Sequence, residues 1–437
     1  MHKPILGITL FEEQLIRVYL LSDEFSLLKV LGKNRRIVIF TQVELEVKLK
    51  TLLKERFLDE IEVVAFSATM ESKSQKMISF FANWVDPSVG AIRKLNREYI
   101  GMRVGRTGYL VRILVRYLFS SNKRIKKLIR FLYLRSSSAQ KIENSFSIIP
   151  PRLDLLLVMS LTNTESDLPL SVFYKKNGTP VIATVRSWDN VVTKGILKFT
   201  PDVFLSHSNF MSDRVIRVHG FESEIVKTWV TPGYQSKYLV KLDKNHSKLL
   251  NVTYACIGPV LNPDEINFIT WIQKLSVNYG FNLSVLQHPK FQHLLPEGES
   301  KNYKVICFNY LDSTLKEYYG FLSCQDVVIL SGTTVALDAL FSGTKILALG
   351  FEIETQNFWE SHLRSFDYLP HTKWLFENLP ITKLRDKQHL ISFLSNSLEL
   401  RPISDSQAKL KPMIGHVELD YISLLEDCIS VSLNTAY

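Results

Sequence analysis

The stretch Gln325 to Gly350, QDVVILSGTTVALDALFSGTKILALG, decides how the chain folds. Val327 to Leu330 form an apolar run of strand length, and Ser331, Gly332, Thr333 and Thr334 make a small-residue turn. A short helix is expected from about Val335 to Ser342, Gly343 caps it, and a second apolar run opens at Lys345. Strand, turn, helix and strand in direct succession is the repeating unit of a parallel α/β sheet. The turn also carries chemistry. A helix N-terminus presents unpaired N–H groups and a partial positive charge, three hydroxyls add donors, and Gly332 lets backbone approach a ligand closely. A diphosphate suits that set, although an ordinary Ser/Thr helix cap would read the same way in isolation.

Working outward, similar runs recur along the chain. In the first half the expected strands are Pro4 to Thr9, Arg36 to Thr41, Ile61 to Ser67, Leu153 to Met159, Pro180 to Val185, Val203 to Ser206 and Glu224 to Trp229. In the second half they are Asn251 to Gly258, Asn282 to Gln287, Tyr303 to Asn309, Asp326 to Leu330 and Lys345 to Leu349. The break at Thr231, Pro232, Gly233 and the Lys-rich stretch to about Lys248 read as a linker. The reading is therefore two doubly wound, Rossmann-like α/β domains, 1–235 and 249–437, with a cleft between them. In open α/β sheets ligands bind beyond the carboxyl ends of the strands, so the loops after these strands are the places to search.

Composition narrows the function classes. The chain has 437 residues, 46% hydrophobic and 22% charged, with no low-complexity tract or internal repeat, which describes a globular chain with a sizeable core. Cys256, Cys307, Cys324 and Cys428 are scattered without a CxxC pair, so no zinc knuckle or disulfide framework is expected and a reducing cytoplasm fits. The opening MHKPILGITLFEEQ breaks at Glu12 before an export signal could form, and no run approaches the roughly 20 apolar residues of a membrane span.

The formal charge of +10 calls for an anionic partner. Ten Arg or Lys residues and no acid lie between Arg103 and Arg135, inside an expected insertion at about 90–146. Leu110, Ile113, Leu114, Tyr117 and Leu118, then Ile125, Leu128, Ile129 and Leu132, recur at helical spacing. Two basic amphipathic helices follow, and they suit the anionic inner face of a cytoplasmic membrane. The competing reading packs both apolar stripes on the N-terminal core. Nucleic acid is not expected, because no recognition module accompanies the basic residues.

Several motifs carry a family resemblance. The Ser331 to Thr334 turn heading a helix with Leu337, Asp338 and Ala339 resembles the donor signature of GT-B glycosyltransferases, in which a Leu-Glu-Ala-like acid meets the nucleotide ribose. That resemblance gives the role to Asp338. His288-Pro289, in VLQHPK at a strand exit, resembles the His-Pro element of bacterial transferases that use CMP-activated sugars or CDP-glycerol, whose His faces the donor phosphates. Gly258, after the first strand of the second half, resembles the loop that closes over the diphosphate.

Residues 178–221 resemble a group of bacterial surface-polysaccharide glycosyltransferases with a Ser-Trp-Asp-Asn loop (Ser187, Trp188, Asp189, Asn190), a Lys-Gly (Lys194, Gly195), a Pro-Asp (Pro201, Asp202) and a closing His-Gly (His219, Gly220). The match departs at Ser206, His207, Ser208 and Asn209, where the group has a Trp-Asn-Glu-like tip. Asp189 just beyond a strand end suits an inverting general base, with His207 as the competing base. Trp188 could stack on a sugar and Asn190 could bind an acceptor, while a turn-capping Asp189 and a packed Trp188 are the structural alternatives.

The absent motifs matter too. No Asp-x-Asp metal clamp occurs, so neither cofactor nor divalent metal is expected and a leaving diphosphate would rely on helix dipole, hydroxyls and basic side chains. No P-loop, GxGxxG or GxSxG appears. What the resemblance implies is a transferase moving a sugar from a nucleotide donor to a glycan or lipid-linked acceptor in O-antigen, capsule or lipopolysaccharide synthesis. The alternatives are a CDP-linked polyol-phosphate transferase and a non-catalytic binding protein of the same fold.

Overall fold

Strands that are apolar on both faces need cover on both, and the chain meets that requirement twice. The computed structural model describes residues 3–86, 105–137, 139–229, 232–238, 249–258, 262–289, 303–331, 334–354, 363, 370–395 and 421–434. Its first sheet contains β1 (Ile5–Thr9), β2 (Arg36–Thr41), β3 (Glu62–Ala65), β4 (Leu155–Val158), β5 (Val181–Ala183), β6 (Val203–Ser206) and β7 (Val226–Thr228). They lie in the order β3-β2-β1-β4-β5-β6-β7, all parallel.

The second sheet contains β8 (Asn251–Ala255), β9 (Asn282–Leu286), β10 (Lys304–Ile306), β11 (Val327–Leu330), β12 (Lys345–Leu349) and β13 (Ile381–Leu384). Its order is β10-β9-β8-β11-β12-β13, again parallel. Every strand expected from the sequence forms, and β13 is an addition. Gly343 has φ +76 after the helix Thr334–Phe341, a left-handed cap that a side chain would strain.

Contacts divide the chain into two units, Met1–Gly233 with Pro412–Tyr437, and Tyr234–Lys411. The last helix, Tyr421–Asn434, therefore belongs with the first sheet, whereas the sequence places it with the second half. The reason is local. Arg35 Nη1 meets Glu426 Oε1 at 2.7 Å, and Ile422, Leu425 and Ile429 are buried.

The basic insertion also differs from its expected packing. The helices Arg106–Phe119 and Lys123–Ser136 form, but Arg116, Lys126 and Arg130 point inward while Leu114, Tyr117, Leu118, Leu128 and Leu132 are exposed. Of the first stripe Leu110, Leu114, Tyr117 and Leu118 stay exposed, and the second divides, with Ile125 and Ile129 packed inward and Leu128 and Leu132 facing out. Arg103 lies outside the described residues. Ala82, Val85, Ile129 and Ile196 make the thin apolar layer beneath these helices. Arg116 donates from Nε to the carbonyl of Asp86 and from Nη2 to that of Asn83, at 2.5 and 3.2 Å, which pairs two backbone carbonyls beneath the helices. None of the helices among the described residues is long and apolar enough to cross a membrane.

Candidate functional site

In the second unit the strand order reverses between β8 and β11, and the register makes their ends flush: Leu286, Ala255 and Leu330 form one row across β9, β8 and β11. That is the switch point where open α/β sheets bind ligands. Three expected site segments leave the sheet there: Gly258 beyond β8, His288 beyond β9, and Ser331 beyond β11. The expected turn is present to the extent described, with Ser331 after the strand and Thr334 opening the helix. Gly332 and Thr333 lie outside the described residues.

The Ser331 hydroxyl is committed to the protein. It lies 3.2 Å from Tyr254 Oη and accepts from Asn262 Nδ2 at 3.1 Å, fully buried. Tyr254 has one proton to give, and Glu265 Oε1 takes it at 3.2 Å, so Ser331 donates to the phenol. Ser331 therefore positions the turn, and its hydroxyl is not free for a phosphate as the sequence reading expects.

Glu265, which the sequence reading overlooks, is the centre of this edge. Its carboxylate accepts from the N–H groups of Ile257 and Gly258, at 2.8 and 3.0 Å. Burial pushes its pKa up, and these hydrogen bonds oppose the shift by favouring the charged form. Gly258 sits at φ +89, a backbone conformation that only glycine adopts without strain, so the loop after β8 is shaped by one glycine and one acid. The signal in the sequence is an acid in the first turn of the helix Glu265–Tyr279, directly after the loop. Asp264 beside it accepts from Ile353 and Glu354 N–H and from Asn267, tying in the loop after β12.

Asp338 has a different occupation from the one its resemblance implies. One carboxylate oxygen accepts from Tyr234 Oη at 2.7 Å and the other from Tyr318 Oη at 2.9 Å. Tyr234 is itself buried against Tyr319 and Phe341. Asp338 thus holds Tyr234 to the helices Leu315–Ser323 and Thr334–Phe341. His288 is half-buried, just past the point where Gln287 N–H donates to Ile306 carbonyl and extends β9.

In the first unit the switch point falls between β1 and β4. Thr9, at the end of β1, hydrogen-bonds the fully buried Asp167, whose pKa burial raises to about 8. Beyond the strand ends, Glu12 and Arg186 form an ion pair that the sequence reading does not foresee.

The Ser-Trp-Asp-Asn loop follows β5. Asp189 is half-buried at the N-terminus of the short helix Asn190–Thr193; its carboxylate lies 3.2 Å from Thr193 Oγ1, which donates to the Asp189 carbonyl at 2.9 Å, and it takes no backbone N–H of that helix, so the turn-capping alternative does not form. Trp188 and Asn190 are each only 2% exposed, which leaves neither side chain open to a sugar. His207 is 1% exposed. Thr184 Oγ1 gives its proton to the Leu205 carbonyl, so His207 Nε2 is the donor in its 3.1 Å contact with Thr184. Burial lowers the His207 pKa to about 4, and its acceptor nitrogen, Nδ1, is enclosed; a general base needs that nitrogen at the substrate.

The His-Gly pair proves to be a brace. His219 Nδ1 accepts from Leu197 N–H at 3.1 Å and Nε2 meets the Val191 carbonyl at 2.7 Å, so the residues flanking Lys194-Gly195 hang on one imidazole. Arg130 then donates to the carbonyls of His219 and Gly220, at 2.8 and 3.4 Å. Among the described residues no group of three or more His, Cys, Asp or Glu side chains is placed to hold a metal ion.

No family model and no curated protein matches the chain. Solved structures do. The glycosyltransferase of kitacinnamycin superposes with a TM-score of 0.50 at 10% identity, covering 99% of this chain and 100% of its own. The UDP-N-acetylglucosamine 2-epimerase from Rickettsia bellii gives 0.51 at 11% identity, over 99% of this chain and 97% of that one. The UDP-GlcNAc 2-epimerase of Methanocaldococcus jannaschii, in complex with UDP-GlcNAc and UDP, gives 0.50 at 11%, over 98% and 99%. The fold is GT-B. Two Rossmann-like units, each with its own switch point, are what that fold consists of here. At these identities the likeness concerns the fold alone.

Proposed function

We propose that this GT-B chain is a glycosyltransferase that takes a sugar from a nucleotide donor held at the switch point of the second unit. The observation that carries the reading is the braced edge there. Glu265, Asn262, Tyr254 and Ser331 tie Ile257 and Gly258 beyond β8 to Ser331 beyond β11, and the helix beginning at Thr334 starts from that edge. Fixed N–H groups at a helix start suit a diphosphate and stabilise it as it leaves, without reorganisation at the moment of reaction. In this reading His288, just beyond β9, adds a donor to a phosphate oxygen, and its charge follows if the phosphate raises its pKa.

Of the acceptor-side residues, Asp189 keeps a half-exposed carboxylate. In the proposed step Asp189 takes the proton of the attacking hydroxyl, that oxygen bonds to the anomeric carbon, and the bond to the nucleotide diphosphate breaks with its electron pair. The acceptor is a glycan or a lipid-linked sugar of a bacterial surface polysaccharide, reached from the inner face of the cytoplasmic membrane.

One observation favours a second reading, a non-catalytic binding protein: Trp188, Asn190 and His207 are all closed off. Transfer by the parent chain separates the two, and Asp189→Ala tests the base. The catalytic reading expects transfer to fall about 100-fold or more with nucleotide binding intact, since a lost general base costs roughly that much. Unchanged turnover removes Asp189 from the mechanism. Product analysis for phosphorus distinguishes sugar transfer from polyol-phosphate transfer, and epimerised donor in the product mixture would place the activity with the epimerases of this fold.

A further inference from the structure

Three helices of the first unit carry no acidic residue: Lys73–Val85, Arg106–Phe119 and Lys123–Ser136. Their buried side is unusual in its chemistry. Beneath them Arg116 and Arg130 are spent on backbone carbonyls, and the Lys126 ammonium is enclosed without a hydrogen-bond partner. With those cations facing inward, the apolar side chains face out. Phe80 and Phe81 on the first helix are 44% and 51% exposed, Leu114 and Tyr117 on the second 55% and 82%, and Leu128 and Phe131 on the third 53% and 51%. Arg106, Lys123 and Arg124 lie exposed among them, and the Arg112 guanidinium covers the rings of Phe80 and Trp84.

Soluble surfaces scatter single exposed apolar residues; a set shared by three adjoining helices marks an interaction surface. Its charge chooses the partner. A second copy meeting the same face by a twofold axis would set positive charge on positive charge. A bilayer interface rich in acidic lipid offers the complement: phosphates for the exposed Arg and Lys, and an acyl boundary for the Leu and Phe side chains, with Tyr117 at headgroup level.

We propose that this three-helix face docks the protein on an anionic lipid bilayer by inserting apolar side chains between the headgroups, with the exposed Arg and Lys residues binding phosphate around them. The inference rests on the membrane partner proposed above and names the side chains that grip it. The sequence reading gives the grip to ten basic residues together with the apolar stripes; three of those basic residues face inward, and apolar insertion supplies the part of the attachment that salt does not screen.

The test is co-sedimentation of the full chain with vesicles of phosphatidylcholine, with and without phosphatidylglycerol, at low and high salt. The expected result is binding to the anionic vesicles with a residue that survives high salt. Leu114→Asp with Tyr117→Asp, both at exposed positions, is expected to weaken binding about tenfold or more at either salt concentration, because a leucine-sized burial is lost and charge enters the interface. Its melting temperature should stay that of the parent. Arg106→Gln with Lys123→Gln and Arg124→Gln is expected to weaken only the low-salt component. Absence of vesicle binding overturns the proposal, as does parental binding by the double aspartate variant. A dimer in sedimentation velocity that the aspartates dissociate would give the face to a second copy instead. Nucleotide-induced stabilisation, measured on the same samples, reads the donor site independently, so either proposal can fail without the other.

Discussion

A neutral imidazole has one N–H to give, and at His219 both nitrogens are engaged: Nδ1 accepts from Leu197 and Nε2 donates to Val191. Protonation would turn the first contact into donor against donor, and burial lowers the pKa to about 4 accordingly. His219→Ala leaves a buried N–H and a buried carbonyl unpaired, each costing about 1–3 kcal/mol. The expected outcome is a loss of roughly 3 kcal/mol in a denaturant titration, and a change below about 1 kcal/mol would contradict the bracing role. Residue types were legible in the sequence and partners were not. The His-Gly pair stood out as a motif, but only the fold shows that it holds the loop after β5. Asp338 teaches the same point, because the tyrosines that occupy it lie 104 and 20 residues away in sequence.

At the scale of elements, the strand, turn and helix around Ser331 could be read directly, because a continuous apolar run, a small-residue turn and a glycine cap each specify local backbone. What the turn is braced against could not, since Tyr254, Asn262 and Glu265 reach it through tertiary pairing of β8 with β11. The basic helices were legible as helices, while the face they bury was not. A 3.6-residue period says that a helix has two faces, and it does not say which one meets the protein when the floor is lined with backbone carbonyls. Glu265→Ala frees two N–H groups of the loop after β8, so nucleotide affinity is expected to fall about tenfold or more, measured by calorimetry, with Asp189→Ala unaffected in the same assay. Equal affinity for Glu265→Ala and parent would show that the loop does not shape the site.

For the whole molecule, three buried groups of the first unit set opposing pH dependences. His207 and His219 hold pKa values of about 4 against an ordinary 6.5, so the unfolded chain binds two more protons between those values. Asp167 is raised from 3.8 to about 8, so the folded chain binds one more across that range. Below pH 6.5 the two histidines outweigh the aspartate, and stability rises with pH by about 1.4 kcal/mol per unit. Of these three groups only Asp167 acts between 6.5 and 8, where its contribution falls as pH rises. Melting temperature should therefore peak near pH 6.5, and Asp167→Asn should flatten the alkaline limb; a limb unchanged in that variant would refute the assignment. The division into two sheets followed from the strand series, but the return of the helix Tyr421–Asn434 to the first unit did not, because it depends on an Arg35–Glu426 pair far apart in sequence.

The central claim is a nucleotide-sugar donor site at the β8/β11 switch point, and ligand-dependent melting of the full chain with UDP, CMP, CDP and GDP tests it most directly. A ligand that binds only the folded state, at about 100 times its dissociation constant, adds about 2.7 kcal/mol. At least one of the four is expected to raise the melting temperature by several degrees, with the rise lost in Glu265→Ala. No shift with any of them, up to millimolar concentration, would contradict the account.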